Sequence, residues 1–84
     1  MNYELTEHAK ESLRIRANIR LEWLEQAIAA PHRVEPDRID PNLEHRLLRI
    51  DEFDGRVLRV VLNANVKPPR IITVFFDRSL RGLV

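Results

Sequence analysis

The strongest structural signal in the chain is residues 44–64, which read EHRLLRIDEFDGRVLRVVLNA. Two runs rich in leucine, isoleucine and valine flank Asp54-Gly55, a dipeptide typical of the tight turn between antiparallel strands. A further apolar run follows after a proline-containing connection. The pattern predicts a three-stranded antiparallel sheet, with strands at about residues 44–52, 56–64 and 70–76.

The turn also predicts a register. A three-residue loop of Phe53, Asp54 and Gly55 places glycine at the left-handed position that this loop type requires. Facing residues then have numbers that sum to 108, so that Leu48 faces Val60 and Arg49 faces Arg59. A two-residue turn would shift this sum by one and pair each core residue with a solvent-facing one, which the apolar pattern rejects.

This register divides the sheet into two faces. The face expected to pack on helices carries Leu48, Ile50, Leu58, Val60, Leu62, Ile72, Val74 and Phe76. The second face carries His45, Leu47, Arg49, Asp51, Val57, Arg59, Val61, Ile71, Thr73 and Phe75. Because only two helices are predicted, we expect this partly apolar, partly cationic second face to be left uncovered.

Both predicted helices precede the sheet. Apolar residues recur every four positions from Leu5 to about Arg16, and Thr6 is a plausible N-cap. A second helix is predicted at about 21–30, where Pro31 ends it. A short edge strand at 32–35 is a further possibility. The prediction is one α+β domain over residues 1–84, with two N-terminal helices packed on one face of a three- to four-stranded antiparallel sheet.

Composition narrows the function classes. The chain has 84 residues, 44% of them hydrophobic, and no cysteine, which excludes disulfides and thiolate metal sites. Two glycines are too few for a glycine-rich phosphate loop, and the three histidines lack metal-ligand spacing. We expect no metal and no cofactor. No stretch resembles a signal peptide or a membrane span, so a cytoplasmic location without a membrane partner is expected.

The predicted pair Arg49 and Arg59 is the most informative candidate site. Like charges directly across a ladder repel each other and need compensation. Asp51, on the same face and diagonal to Arg59, would neutralise part of the charge, and a bound phosphate or an acidic partner would neutralise the rest. The alternative is a solvated pair whose stems cover Val57 and Val61.

Two residues of the first helix carry further hypotheses. His8 lies at the edge of the apolar stripe, where it is either a general base or a half-buried side chain with one hydrogen bond. Arg16 projects from the middle of that stripe, so it needs a carboxylate or carbonyl partner.

The order of several short motifs resembles a known bacterial family of small proteins. These motifs are Thr6-Glu7-His8-Ala9, Glu22-Trp23-Leu24, Ala30-Pro31-His32-Arg33-Val34-Glu35, Arg56-Val57-Leu58-Arg59-Val60-Val61 and Ile72-Thr73-Val74-Phe75-Phe76-Asp77-Arg78. Over residues 5–78 the chain is similar to domain-of-unknown-function family 4258. In size and element order it also resembles the RelE and BrnT type of toxin, compact α+β ribonucleases that are paired with an antitoxin.

The toxin resemblance implies metal-independent cleavage of RNA. It assigns phosphate binding to Arg49, Arg59 and Arg78 and the role of general base to His8 or His45. Arg16, Asp51 and Thr73 are expected to have structural or supporting roles. RNA and a cognate antitoxin are the implied partners. The segment 78–84 departs from the toxin pattern, because it contains no tyrosine or histidine after the last strand.

A non-catalytic interaction module is the competing hypothesis. In that case the second sheet face would bind another protein or a second copy of the chain, and a homodimer would cover Leu47, Val61, Ile71 and Phe75.

Overall fold

The computed structural model describes residues 2–84 and has an α+β architecture. The elements are β1 (Glu4–Leu5), α1 (Glu7–Ile15), α2 (Leu21–Ala29), β2 (Arg33–Pro36), β3 (Glu44–Ile50), β4 (Arg56–Asn63) and β5 (Arg70–Phe76), with short 3-10 turns at Asp51–Phe53 and Arg78–Leu80. Both predicted helices and the three predicted strands are confirmed, with ends that differ by no more than two residues. Within this part of the chain no helix has the length and apolar character needed to cross a membrane.

Thr6 caps α1 and anchors it to the sheet. Its hydroxyl oxygen accepts a hydrogen bond from the backbone N–H of Ala9 at 3.1 Å, which confirms the predicted N-cap. The same hydroxyl donates to the carbonyl of Ile71 at 2.9 Å. The first turn of α1 is therefore held beside β5.

The sheet is mixed and has five strands in the order β1-β5-β4-β3-β2. β1 pairs parallel to β5, with Glu4 opposite Arg70, whereas the other neighbours are antiparallel. The prediction of a purely antiparallel sheet of three or four strands was wrong. A two-residue strand has too few positions to show a periodicity, and its parallel partner lies more than sixty residues along the chain.

The register of β3 and β4 also differs from the prediction. Leu48 faces Leu58, Arg49 faces Val57, and Leu47 faces Arg59. The connection has five residues instead of three, because Asp51–Phe53 wind into a 3-10 turn before Asp54 and Gly55 take left-handed φ values of 58° and 67°. The shift is two residues, so each side chain keeps the face that the sequence assigned to it.

A bulge changes the faces of β5 near its start. Val61 faces Thr73, but Leu62 faces Ile71, so Ile72 is the extra residue. Ile71 is consequently fully buried in the helix-side core, where Ile72 was predicted. The alternation of apolar residues contains no signal for an inserted residue, because Ile71 and Ile72 are chemically identical.

The core on the helix side joins α2 to the sheet. Its buried members are Ala9, Ile19, Trp23, Leu24, Ala27, Ile28, Leu48, Ile50, Leu58, Val60, Leu62, Ile71 and Val74. At one end Trp23, Phe53 and Phe76 form an aromatic cluster, in which Trp23 stacks on Phe53 with ring centroids 5.6 Å apart. Trp23 Nε1 also donates a 2.7 Å hydrogen bond to Glu52. These two contacts draw Glu52 and Phe53 away from the hydrogen-bonded ladder of β3 and β4, which accounts for the 3-10 turn in the connection.

The second sheet face is covered, contrary to the prediction. Leu47 and Val57 are 0% and 1% exposed, although neither belongs to the helix-side core. The segment after β5 turns back over this face. Its 3-10 turn lies against β4, and its carbonyl at Val84 accepts a hydrogen bond from Arg49 Nη1 at 3.0 Å. The seven residues after Asp77 therefore cover part of this face, at the end where Arg49 lies.

Candidate functional site

Arg49 and Arg59 are not opposite each other, and each has its own partners. Arg49 Nε donates to Asp51 at 2.7 Å, so Asp51 neutralises Arg49 and not Arg59. Arg59 is only 15% exposed, and its Nε and Nη2 both lie 2.9 Å from Asp77 Oδ2. The predicted uncompensated arginine pair therefore does not exist, because the longer turn moved the two strands by two residues.

His45 is the centre of a hydrogen-bonded chain on the second face. Arg59 Nη1 donates to His45 Nδ1 at 2.7 Å, and His45 Nε2 donates to Asp37 Oδ1 at 2.7 Å. Because an arginine N–H can only donate, Nδ1 must be the acceptor and Nε2 must carry the proton. Both ring nitrogens are occupied, so His45 orients Arg59 and has no free nitrogen to take a proton from a substrate.

Asp37 is the end of this chain. The N–H of Asp40, followed by His45 and the N–H of Ile39, lowers the pKa of the Asp37 carboxyl from 3.8 to about 2. Asp37 therefore stays ionised down to strongly acidic pH and holds His45 in one tautomer.

The other predicted residues lie elsewhere. His8 is exposed on α1, not half-buried. Thr73 Oγ1 lies 3.1 Å from the hydroxyl of Ser12, which is 3% exposed, so Thr73 fastens α1 to β5. Arg16 is exposed just beyond the end of α1 and not within a buried stripe.

An arginine-rich cleft opens where α1 ends and β5 ends. It has a volume of about 670 Å³ and is lined by Arg16, Asn18, Arg56, Phe76, Asp77, Arg78 and Arg81. We call this the arginine cleft. It brings together Arg16 and Arg78, which the sequence singled out, with Arg56 and Arg81, which it did not.

The cleft arginines differ from most other arginines of the chain in their partners. Arginines that pair with a carboxylate are Arg14, Arg20, Arg33, Arg46, Arg49, Arg59 and Arg70. None of the four cleft arginines has a carboxylate within 4.0 Å among residues 2–84. Arg56 lies over the ring of Phe53 at 4.5 Å, and Arg81 Nε donates to the carbonyl of Asp54. Four permanent positive charges therefore share one cleft, and no carboxylate side chain of residues 2–84 pairs with any of them.

Asp77 is the one carboxylate in the lining of this cleft. Its Oδ1 accepts from Ser79 Oγ at 2.6 Å and from Ser79 N at 3.0 Å, while Oδ2 faces Arg59. The Ser79 hydroxyl is the main cause that lowers the pKa of Asp77, with smaller contributions from the Ser79 N–H and Arg59. The charge of Asp77 is therefore satisfied by groups outside the cleft lining.

A second cavity of about 640 Å³ adjoins the arginine cleft. It is lined by Ala17, Asn18, Arg20, Glu22, Trp23, Glu52 and Phe53. Asn18 belongs to both linings, and Arg56 of the first packs on Phe53 of the second. The two cavities therefore form a continuous surface around the aromatic cluster.

Residues 5–76 match the family model for a domain of unknown function, DUF4258. The chain belongs to this family. No curated protein and no solved structure matches the chain, so the likeness to RelE and BrnT toxins stays a prediction.

The DUF4258 match places the cleft partly outside the family model. Arg16, Arg56 and Phe76 lie within the matched residues, whereas Asp77, Arg78 and Arg81 follow them. Arg81 could have been found from the sequence, because it lies three residues after Arg78 in a segment that has no acidic residue after Asp77. Arg56 had no such signal, because only the fold brings it beside Arg16.

Residues 2–84 of this DUF4258 chain contain no group of three or more histidine, cysteine or carboxylate side chains that is arranged to hold a metal ion.

Proposed function

We propose that the arginine cleft binds the phosphate backbone of single-stranded RNA. The observation that supports this is the set of four arginines without carboxylate partners in one open cleft. Guanidinium groups bind phosphate in a bidentate manner and keep their charge at every physiological pH. RNA is the phosphate ligand that the toxin resemblance implies, and the cytoplasm is the expected location.

Binding, and not cleavage, is the activity that this cleft favours. Metal-independent RNA cleavage requires a base within hydrogen-bonding reach of the 2′-hydroxyl. The cleft lining contains no histidine, and its one carboxylate is held by Ser79 and Arg59. Toxin-type ribonuclease activity at His8 or His45 therefore remains a prediction with less support than RNA binding.

The competing interaction module also has less support. Leu47, Val61, Ile71 and Phe75 were expected to form a dimer face, but the first three are at most 7% exposed within one copy of the chain, and Phe75 is half-buried. A partner at the Arg49 end of the second face would have to displace the segment after β5.

The salt dependence of RNA binding tests the proposal. Each phosphate contact to a single strand contributes a slope of about −0.7 to a plot of log K against log salt, so four contacts predict about −2.8. The assay is fluorescence anisotropy with a labelled 12-nucleotide RNA. Replacing Arg16 and Arg78 with glutamine should reduce the slope to about −1.4, because two contacts are lost.

A matched control separates the cleft from general charge. Lys67→Gln with Arg70→Gln removes the same charge from the connection before β5 and from the first residue of β5, which lies about 20 Å from Phe76 at the rise of a β-strand. This variant should keep a slope near −2.8. Equal effects of the two double variants would contradict a cleft-specific site, and cleavage of the RNA on a denaturing gel would contradict binding without catalysis.

A further inference from the structure

Among residues 2–84, Arg59 is the one arginine outside the cleft whose side chain forms a hydrogen bond or ion pair with a residue of the cleft lining. Its Nε and Nη2 lie 2.9 Å from Asp77 Oδ2, and its remaining Nη1 donates to His45. Glu35 lies farther away, with Oε1 3.7 Å from Nη1. The guanidinium is thus held on one side by Asp77 and on the other by the Asp37–His45 pair.

Asp77 belongs to the cleft lining together with the four arginines, and it is also bonded to Arg59. A carboxylate in an arginine-lined cleft would ordinarily pair with one of those arginines and compete with any incoming anion. Here its two oxygens are directed to Arg59 and to Ser79. Since the carboxylate is already satisfied, the cleft arginines stay available to a ligand.

We infer that Arg59 is a positioning residue, which keeps Asp77 away from the cleft arginines and thereby maintains the anion affinity of a cleft that it does not line. The inference rests on the proposed function and extends it. His45 and Asp37 contribute by orienting Arg59, since Asp37 holds the tautomer in which Nδ1 accepts from Arg59. Two residues that the sequence suggested as direct RNA contacts, Arg59 and His45, thus act through Asp77.

A double-mutant cycle tests this role. In Arg59→Gln, Asp77 loses its cationic partner and can pair with a cleft arginine, so RNA affinity should fall about tenfold and the salt slope should change from about −2.8 to about −2.1. Asp77→Asn alone should raise affinity by about twofold or less. The double variant Arg59→Gln with Asp77→Asn should return to wild-type affinity or above, because the competing carboxylate is gone.

The rescue distinguishes positioning from a structural or direct role. If Asp77→Asn does not restore binding to a folded Arg59→Gln protein, Arg59 either contacts RNA or supports the fold, and the inference is wrong. Unchanged affinity in Arg59→Gln would also refute it. Thermal unfolding checks the fold of each variant, and Arg59→Met, which keeps an apolar stem without the charge, replaces Arg59→Gln if the latter does not fold.

A second probe separates the inference from the proposed function. The same cycle is measured with inorganic pyrophosphate by isothermal titration calorimetry. Binding of pyrophosphate but not RNA would overturn the RNA proposal and still measure the coupling between Arg59 and Asp77. If the wild-type protein binds neither probe, both proposals are refuted.

Discussion

Leu47 and Leu48 are adjacent on β3 and point to opposite faces of the sheet, and both are 0% exposed. An uncovered second face would make Leu47 a surface residue, for which truncation changes the free energy of unfolding by about 0.5 kcal/mol or less. The covered face makes it a core residue. Leu47→Ala should therefore cost about 3 kcal/mol, within the range of about 2–5 kcal/mol for a buried leucine, and Leu48→Ala should cost a similar amount.

Urea unfolding measures this difference with the intrinsic fluorescence of Trp23, the single tryptophan, which is 6% exposed in the folded chain. In a thermal melt a loss of about 3 kcal/mol in a domain of this size lowers Tm by about 12–24 °C. Val34→Ala is the matched control, because Val34 is 52% exposed on the edge strand β2 and should change stability little. A Leu47→Ala protein as stable as Val34→Ala would refute the covered second face.

Three further predictions follow from local features. The pKa of Asp37 is lowered from 3.8 in the unfolded chain to about 2 in the folded chain. Its ionised form therefore contributes stability that is complete above about pH 4 and is lost as the pH falls towards 2. Asp37→Asn should remove this part of the acid dependence, measured by urea melts at pH 2–5. Gly55→Ala should destabilise by about 1 kcal/mol through its φ of 67° and not through crowding, since nothing lies within 4 Å of an added Cβ, and Gly55→Asn should cost less in the same melts. Induced expression in bacteria should leave growth and cellular RNA intact if the cleft only binds RNA, whereas growth arrest that is lost in Arg16→Gln with Arg78→Gln would support a toxin that acts through this cleft.

The covered second face changes the interpretation of the C-terminal residues. They contribute Arg78 and Arg81 to the arginine cleft, and they also bring the carbonyl of Val84 to Arg49. Segment 78–84 departs from the toxin pattern in composition, yet it covers part of the second face and contributes two arginines to the cleft lining. Loss of this segment should therefore reduce stability and anion binding together.

The local sequence was sufficient where the physical cause is local. Thr6 caps α1 because its hydroxyl can reach an N–H three residues ahead, and Asp54-Gly55 turns the chain because these residues tolerate left-handed φ values. The alternation of apolar residues also assigned Leu47 and Leu48 to opposite faces correctly. Strand faces depend on parity, so those of β3 and β4 survived a register that was wrong by two residues, whereas the bulge changed them at the start of β5.

Only the tertiary structure decided which residues meet. Trp23 donates a hydrogen bond to Glu52 and stacks on Phe53, both in the β3–β4 connection. This long-range packing set the register that separates Arg49 from Arg59. The arginine cleft likewise combines residues from three separate parts of the chain, between Arg16 and Arg81. The sequence indicated that arginines would form the candidate binding site. The positions of the carboxylates in the folded chain then decide which arginines remain without a carboxylate partner.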